Sequence, residues 1–300
     1  MDKTKTIEDL RHAIDEMSII MYNIYVEWKV SQSVPLTESE RMTENMYRMM
    51  IFKAKSIGLM SQGVVITPTQ KGIIPDPSTI YPVLRSMYEL LFLFRCIFVS
   101  SRNDLERELL LNLWKIRGYN NLIRIPDKEL NKEYKDEKEF AKVENKTLRI
   151  KIRELFDKLA LSPSVIDTIE NCMSNNTPAL KGFMFDHCEH CDNITAFRTL
   201  DFSDTTMGLE LSSVSYIYSH YSAHSHPSFL GVKHFEEMYY SKNEDQFMKE
   251  ILEGTCIYLV RFMMDFCRYK DSYQSFYNQE ESHINNILSR IIQIQQDTNL

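Results

Sequence analysis

The chain has 300 residues, 26% of them charged, and a formal net charge of −7. A chain of this length can bury a substantial hydrophobic core without disulfide bonds. Its negative charge argues against a broad nucleic-acid-binding surface, because phosphate binding depends on clustered Lys and Arg side chains, although a local basic patch remains compatible with it.

The cysteines and the first residues indicate a compartment. The six cysteines are scattered, and the opening MDKTKTIEDL lacks the apolar stretch of a secretory signal. We therefore expect a reducing, cytoplasmic environment. The most apolar stretch, Ile80 to Val99, has membrane-spanning length but contains Arg85, Glu89 and Arg95, each costly in lipid. We expect a buried core helix there and no membrane insertion.

The first part of the chain is expected to form a helical hairpin over about residues 5–62. Apolar residues at helical spacing predict a helix from about Thr6 to Ser33. Thr37 and Glu40 have the spacing of a capping box, which predicts a second helix through about Ser61. A Gly-, Pro- and Thr-rich connector over residues 63–77 separates this pair from the core helices expected over about residues 78–300.

The remaining elements are also predicted to be helical. We expect helices over about residues 103–121, 164–175, 244–269 and 272–296, and a solvent-exposed helix or helix pair over the highly charged residues 127–158. Residues 176–208 lack clear periodicity and predict a long loop, of the kind that often forms lids or binding loops. The expected fold is therefore an all-α multi-helix bundle of about eight to ten helices, in a single domain over residues 1–300.

A segment without formal charge gives the best candidate for a functional site. Residues 211–232, LSSVSYIYSHYSAHSHPSFLGV, contain no Asp, Glu, Lys or Arg but many Ser, Tyr and His. Uncharged hydrogen-bonding side chains are what a buried polar site requires. A helix beginning near Thr206 would place Tyr216, His220 and His224 on one face and Tyr218 and Ser222 on a second stripe.

Pro227 is expected to end this helix, because the residue before a proline disfavours helical geometry. His226 and Ser228 would then lie in a turn that closes at Gly231. Convergent side chains at such a helix end are candidates for ligand binding.

The predicted partner of this segment lies on the buried helix, where one stripe holds Tyr81, Arg85, Tyr88 and Glu89. Arg85 and Glu89 on an otherwise apolar helix must be paired or reach a polar cavity, because an isolated buried charge is costly. Two interpretations stay open: a structural ion pair that fixes helix packing, or a site shared with the histidine-rich helix.

The helix PVLRSMYELLFLFRCIF and the later YSHYSAHSHPSFLG together resemble a family of bacterial all-helical domains of unknown function, over roughly residues 78–231. The resemblance is carried by Arg85, Glu89, Tyr218, Ser222 and His226. That family is in turn distantly similar to helical nucleotide-binding and ribonuclease domains of bacterial defence systems, whose signature is Arg followed within one helix by His four to six residues later. This signature is absent here, so ribonuclease chemistry would require Arg85 and His224 or His226 to converge from separate helices.

Histidine chemistry gives one functional hypothesis. His220, His224 or His226 would act as general acid or base, Arg85 would stabilise developing negative charge, and Glu89 would orient an imidazole. The opposing interpretation is that the histidines are satisfied polar groups in a wet interior. A serine nucleophile lacks support, because no Gly-x-Ser-x-Gly motif is present.

A metal gives a second hypothesis. Cys188 and Cys191, in DHCEHCDN, have a spacing compatible with zinc. The opposing interpretation is free thiols in a loop, because no second cysteine pair completes the ligand set.

We therefore expect a sensor or effector of a bacterial defence or stress module. Its Arg/Glu/His/Tyr pocket would bind a small ligand, nucleotide or partner protein, with Tyr81, Tyr88, Tyr216, Tyr218, Ser222 and Ser228 as contacts. The alternative is a ribonuclease-like or metal-assisted phosphodiesterase.

Overall fold

In the computed structural model, the described residues are 6–65, 74–129, 131–174, 182–189, 193–204, 207–209, 217–226 and 228–297. Within them lie ten α-helices and one two-stranded antiparallel sheet. The predicted all-α multi-helix bundle is confirmed. In the described part of the chain, no helix is both long enough and apolar enough to cross a membrane.

The chain forms two compact units, one from residues 1–92 and 205–300 and the other from residues 93–204. This division does not test the expectation of a single domain over residues 1–300, which stays a prediction. The first unit contains α1 (Ile7–Ser31), α2 (Glu38–Met60), most of α3 (Pro77–Phe94), α7 (Ile217–Ser225), α8 (Phe229–Tyr240), α9 (Glu244–Tyr269) and α10 (Asp271–Asp297).

The predicted N-terminal hairpin is present in the first unit. Thr37 and Glu40 form the capping box that begins α2. Lys55 Nζ lies 2.5 Å from Asp15 Oδ1, whereas Lys29 Nζ lies 2.8 Å from Glu44 Oε2. These two pairs join the beginning of one helix to the end of the other, so α1 and α2 are antiparallel.

Aromatic side chains fill the core between this hairpin and the last two helices. Tyr47 of α2 contacts Phe266 of α9 and Tyr273 of α10, with ring centroids 4.6 and 5.3 Å apart. Trp28 of α1 contacts the same Tyr273 ring at 5.4 Å. Such rings bury large apolar areas and dominate the packing energy of a core.

Helix α3 is the buried helix expected from the sequence. Its apolar residues Leu84, Met87 and Leu91 are fully buried, and its last turn widens into a short π-helical segment, Arg95–Val99. On α9, Gly254 permits close packing here: a methyl group in its place would lie 3.6 Å from Leu84 and 3.1 Å from the Tyr221 hydroxyl of α7.

The second unit contains α4 (Asp104–Arg124), a 3₁₀ turn (Asp127–Glu129), α5 (Lys132–Lys158), α6 (Pro163–Met173), β1 (Gly182–His187) and β2 (Ile194–Leu200). The charged segment is thus a single long helix preceded by a short turn. Helices α4 and α5 are antiparallel, because Asn145 donates to Asn120 and Lys138 donates to the Ile125 carbonyl oxygen.

The long loop expected over residues 176–208 is wrong in part, because two strands lie within it. Phe183 pairs with Thr199 and Phe185 with Phe197 across β1 and β2. The phenylalanines alternate to one buried face, but Met184 and Ala196 interrupt the apolar and polar alternation that marks a strand in sequence. Local pattern therefore missed a hairpin whose stability comes from packing.

Two predictions near the histidine-rich segment are also wrong. The helix expected to begin near Thr206 is not helical at Gly208, whose φ is +59°, and α7 begins at Ile217. Instead of a turn that closes at Gly231, Ser228 caps a further helix, α8, which the sequence analysis did not predict. Met238 is the buried residue of α8, so its sequence carries little amphipathic signal.

Candidate functional site

Helix α3 carries the four stripe residues predicted from sequence. Tyr81 and Tyr88 are buried, whereas the side chains of Arg85 and Glu89 are 21% and 25% exposed. Arg85 Nε donates to Glu89 Oε1 over 2.9 Å. The two charges therefore pair with each other, one helical turn apart, at a place that solvent still reaches.

The same arginine also contacts α7 and the residue that follows it. Arg85 Nη2 donates to the Tyr218 hydroxyl over 2.7 Å, and Arg85 Nη1 lies 2.9 Å from His226 Nε2. Ser222 Oγ lies 3.5 Å from Nη1, at the outer limit of a hydrogen bond. Convergence of the stripe with the histidine-rich segment, which the sequence predicts, is thus present in the structure. We call Arg85, Glu89, Tyr218, Ser222 and His226 the Arg85 cluster.

Tyr218 holds the cluster together in two ways. Its ring lies under the guanidinium, 5.0 Å from Arg85 Cζ, in a cation–π contact. Its hydroxyl donates to Glu89 Oε1 over 3.1 Å. Burial and the Glu89 carboxylate raise the pKa of Tyr218, so the phenol stays neutral and can donate this hydrogen bond.

The contact with Arg85 fixes the tautomer of His226. A guanidinium can only donate, so Nε2 of His226 must accept, and the proton of the neutral imidazole sits on Nδ1. His226 is exposed to solvent. Its site-facing nitrogen is thus engaged by Arg85 rather than available to a ligand's proton.

The other two predicted histidines form a separate stack around Tyr81. The His224 ring lies parallel to the Tyr81 ring at 4.4 Å, and His220 Nε2 lies 3.4 Å from the Tyr81 hydroxyl. His224 Nε2 lies 3.2 Å from Nδ1 of His234 on α8. We call His220, His224, His234 and Tyr81 the histidine stack.

Two imidazoles of this stack, those of His220 and His224, have lowered pKa values. Burial, followed by the neighbouring His220 and His234, lowers the pKa of His224 to about 4. Burial also lowers the pKa of His220. Both shifts favour the neutral imidazole and disfavour the protonated form that a general acid must supply.

The remaining predicted contacts are distributed between packing and capping positions. Tyr88 lies beneath the Arg85 cluster, 5.7 Å from Tyr218 and 5.8 Å from Tyr258 between ring centroids. Ser228 Oγ accepts from the Gly231 amide and donates to the Ala223 carbonyl oxygen, which fixes the start of α8 against α7. Tyr216 lies outside the described residues.

The cysteine motif is only partly within the described residues. Cys188 is partly exposed, and Cys191 lies outside the described residues. His187, beside Cys188, pairs instead with Glu106, its Nε2 lying 3.0 Å from Glu106 Oε1. Over the described ranges, no group of three or more His, Cys, Asp or Glu residues has a geometry that could hold a metal ion. Zinc at Cys188 and Cys191 stays a prediction.

Two residues near these clusters were missed by the sequence analysis. His234 belongs to the unpredicted helix α8, and the charge-free criterion that located the site stops just before it. Lys53 of α2 donates over 2.7 Å to the hydroxyl of Ser86, the residue next to Arg85. Its sequence signal is weak, because Lys53 lies between Phe52 and Ala54 in an ordinary amphipathic helix.

An apolar groove of about 260 Å³ lies elsewhere in the first unit, between α1 and α2. It is lined by Ser18, Ile19, Tyr22, Ile51, Phe52 and Lys55. It has few polar groups to orient a ligand, so the Arg85 cluster is the better candidate site.

No protein-family model, curated protein or solved structure matches this chain. The resemblance to bacterial helical domains stays a prediction.

Proposed function

We propose that the chain is a ligand-binding sensor or effector whose binding site is the Arg85 cluster. The observation that carries the proposal is the position of the Arg85 guanidinium. It pairs with Glu89 of its own helix, contacts Tyr218 of α7 and His226 directly after α7, and remains 21% exposed. A ligand can therefore reach an arginine whose orientation is already fixed. The resemblance noted in the sequence supports a role in a bacterial defence or stress module.

The Arg85 cluster has hydrogen-bonding capacity left for a ligand. Arg85 has five N–H groups, and its contacts with described residues leave one N–H on Nη2 unused. Within the described residues, Glu89 Oε2 has no hydrogen-bond donor, and the long contact of Ser222 leaves its hydroxyl able to rotate. The site thus offers a donor, an acceptor and an adaptable hydroxyl within a few ångströms.

The same geometry favours binding over turnover. A general base must present a free nitrogen to the substrate, and Nε2 of His226 faces Arg85 instead. His220 and His224 lie in the histidine stack, where burial lowers their pKa values.

One observation supports a second candidate, a ribonuclease-like hydrolase. Arg85 and His226 converge from separate elements at 2.9 Å, the arrangement that an Arg–His signature within one helix would otherwise supply. If substrate phosphate draws Arg85 away, Nε2 of His226 can accept the proton of a ribose 2′-hydroxyl that attacks the adjacent phosphorus. The P–O5′ bond then breaks, the departing 5′ oxygen takes a proton from solvent, and Arg85 can stabilise the negative charge that develops on the phosphorus-bound oxygens.

The binding proposal is tested with the purified 300-residue chain by thermal shift and calorimetry. Probes are nucleoside mono- and triphosphates, sugar phosphates, amino acids and unmodified sugars. We expect at least one probe class to raise the Tm of the wild type and to lose at least tenfold in affinity in Arg85→Gln. The matched control is Arg153→Gln, which removes an exposed arginine paired with Glu170. Equal affinity of wild type and Arg85→Gln for every bound probe would contradict the proposal.

Turnover is tested separately with fluorophore-labelled single-stranded RNA. Cleavage that is lost in His226→Asn and retained in His12→Asn, an exposed histidine paired with Glu16, would favour the hydrolase. Absence of cleavage with intact ligand binding would favour the sensor. Metal content by mass spectrometry of wild type, Cys188→Ala and His224→Ala tests the metal-assisted alternative, since zinc lost with either variant would assign ligands.

A further inference from the structure

We infer that the ligand of the Arg85 cluster bears a phosphate group and that Lys53 is its second cationic anchor. The inference rests on the proposed binding function and names the ligand chemistry. It begins from a residue that lies outside the predicted motifs.

Lys53 reaches from α2 to α3 and ends beside the cluster. Its Nζ donates to Ser86 Oγ over 2.7 Å. Ser86 follows Arg85 directly and precedes Glu89 by three positions, so all three side chains occupy one side of α3. Glu89 interacts electrostatically with Lys53 and forms an ion pair with Arg85. The carboxylate therefore lies within the influence of two cations.

The ammonium group of Lys53 is incompletely partnered. Among the described residues, no carboxylate lies within ion-pair distance of Lys53, and its hydrogen-bond partner is the Ser86 hydroxyl. A lysine has three N–H donors, so two remain. Lys55, two positions along α2, instead pairs with Asp15 at the surface.

Partial burial of a lysine whose hydrogen-bond partner is a neutral hydroxyl has an energetic cost that a bound anion would offset. Burial lowers the pKa of Lys53, and the Glu89 carboxylate only partly opposes this effect. An oxyanion that accepts hydrogen bonds from the remaining N–H groups would stabilise a partly buried ammonium group of this kind.

The balance of charge and hydrogen bonds points to phosphate with hydroxyl or amino groups beside it. Lys53 and Arg85 carry two positive charges against the one negative charge of Glu89. Their remaining donors, two on Lys53 and one on Arg85, suit the several acceptor oxygens of a phosphate better than the two of a carboxylate. The free Glu89 oxygen would repel phosphate but accept from a nearby hydroxyl or amine. This combination occurs in a nucleotide, either free or at a position along single-stranded RNA.

The test measures binding to the full chain by calorimetry, with AMP, inorganic phosphate, adenosine and hexa-adenylate RNA as probes. We expect AMP or hexa-adenylate to bind the wild type and adenosine to bind at least tenfold more weakly. Tighter binding of AMP than of hexa-adenylate assigns a free nucleotide, and the reverse order assigns RNA. Lys53→Gln should lower affinity for the preferred probe about tenfold, while Lys55→Gln changes it less than twofold. With RNA, Lys53→Gln should also reduce the slope of log affinity against log salt by about 1.

Two further variants separate an anchor from a structural role. Lys53→Arg keeps the charge and is expected to retain affinity within about threefold. Ser86→Ala keeps the ammonium and is expected to leave affinity within twofold. A loss in Ser86→Ala equal to that in Lys53→Gln would overturn the inference, because Lys53 would then act only through Ser86.

The inference and the proposed function fail in different ways. Phosphate-dependent binding by the wild type that is unchanged in Lys53→Gln overturns the role of Lys53 and leaves the proposed function standing. Binding of amino acids or sugars but of no phosphate-bearing probe overturns the ligand chemistry. Affinity that is unchanged in Arg85→Gln for every bound probe overturns the proposed function itself.

Discussion

Each compact unit contains a centre with one glutamate and one histidine, and the two centres differ in their exposure to solvent. In the second unit, Glu106 and His187 have side chains 1% and 6% exposed. In the first, Glu89 is 25% exposed and His226 is exposed. One centre is closed to solvent and the other is open to it.

The hydrogen bonds of the two centres differ accordingly. Glu106 accepts from the Arg102 amide, the Asn103 side chain and His187, which satisfies both carboxylate oxygens. The Glu106 backbone amide in turn donates to Asn103 Oδ1, the N-cap of α4. The two residues therefore fix the start of this helix together. Glu89 has one oxygen without a donor among the described residues. A buried carboxylate with all its partners stabilises a fold, whereas an exposed one with capacity to spare can bind a ligand.

The largest effect is expected for Glu106→Gln. The substitution replaces an acceptor of three hydrogen bonds by an amide whose N–H group faces one of the donors, at a side chain that is 1% exposed. It should lower the free energy of unfolding by about 2–4 kcal/mol. Glu89→Gln should cost less than about 1 kcal/mol, because solvent replaces the lost contacts. Urea denaturation measures both. Equal costs would remove the distinction between a closed and an open centre.

Gly231→Ala is expected to damage the open centre without removing any of its side chains. A methyl group at Gly231 would lie 2.5 Å from the Ala223 carbonyl oxygen and 2.9 Å from that of His226. The start of α8 must therefore shift, and the backbone that carries His226 shifts with it. We expect a loss of about 1–3 kcal/mol in unfolding free energy and at least tenfold in ligand affinity.

Gly118→Ala is the matched control for that prediction. Gly118 is exposed in α4, and a methyl group there would meet nothing within 4 Å. Replacing a helical glycine by alanine should raise stability by about 0.5–1 kcal/mol and leave affinity unchanged. Unaltered binding in Gly231→Ala would mean that the position of His226 does not matter to the site.

The sequence predicts the open centre better than the closed one. Arg85 and Glu89 stand out as charges on an apolar helix, and the charge-free segment marks its partner, so helical geometry alone brings the two together. Glu106 and His187 carry no such signal. Glu106 lies in the charged first turn of a helix, and His187 lies in a strand that was interpreted as loop.

The limits of prediction have a common physical cause. The strands β1 and β2 and the helix α8 are short elements with weak periodicity, whose formation depends on tertiary packing rather than on local propensity. His234 belongs to such a case, because it lies on α8. Lys53 lies on the well-predicted helix α2, but its contact with Ser86 of α3 depends on how the two helices pack, which the local sequence does not show. Long elements with strong patterns, α1 to α4, α9 and α10, were predicted nearly to their ends, whereas the segment of α5 was predicted as a helix or helix pair that begins near residue 127 rather than at Lys132.

The histidine stack gives a third condition, a half-buried imidazole beside other aromatic rings, and pH reveals it. With the pKa of His224 at about 4 in the folded chain and near 6.5 when unfolded, the unfolded chain binds more protons between these values. Stability from the neutral imidazole is therefore complete above about pH 6.5 and is lost as pH falls towards 4. We expect this loss to be about 1–2 kcal/mol of unfolding free energy, less than the full pKa shift of His224 would give, because its ring is partly exposed to solvent.

His224→Gln tests this pH dependence. Tm measured from pH 7 to pH 4.5 should fall less steeply in the variant than in the wild type, with carboxylate titration common to both. The groups that face His224 are Tyr81 of α3, His220 of its own helix and His234 of α8, with Phe247 of α9. His283→Gln, at an exposed histidine of α10 beside Glu280, should keep the wild-type slope. An unchanged slope in His224→Gln would show that the stack contributes no proton linkage.

The smallest effect on stability is expected for Tyr218→Phe. This variant is therefore the sharpest test of whether solvent reaches the Arg85 cluster. The variant keeps the ring under the guanidinium and removes only the hydroxyl that joins Arg85 to Glu89. Because water can reach both partners, unfolding free energy should fall by less than about 1 kcal/mol, while ligand affinity falls about fivefold through looser positioning of Arg85. Tyr134→Phe, on the exposed face of α5, is the control. A cost near that of Glu106→Gln would instead place the Arg85 cluster among closed, structural centres, since only a hydroxyl that water cannot replace is worth so much.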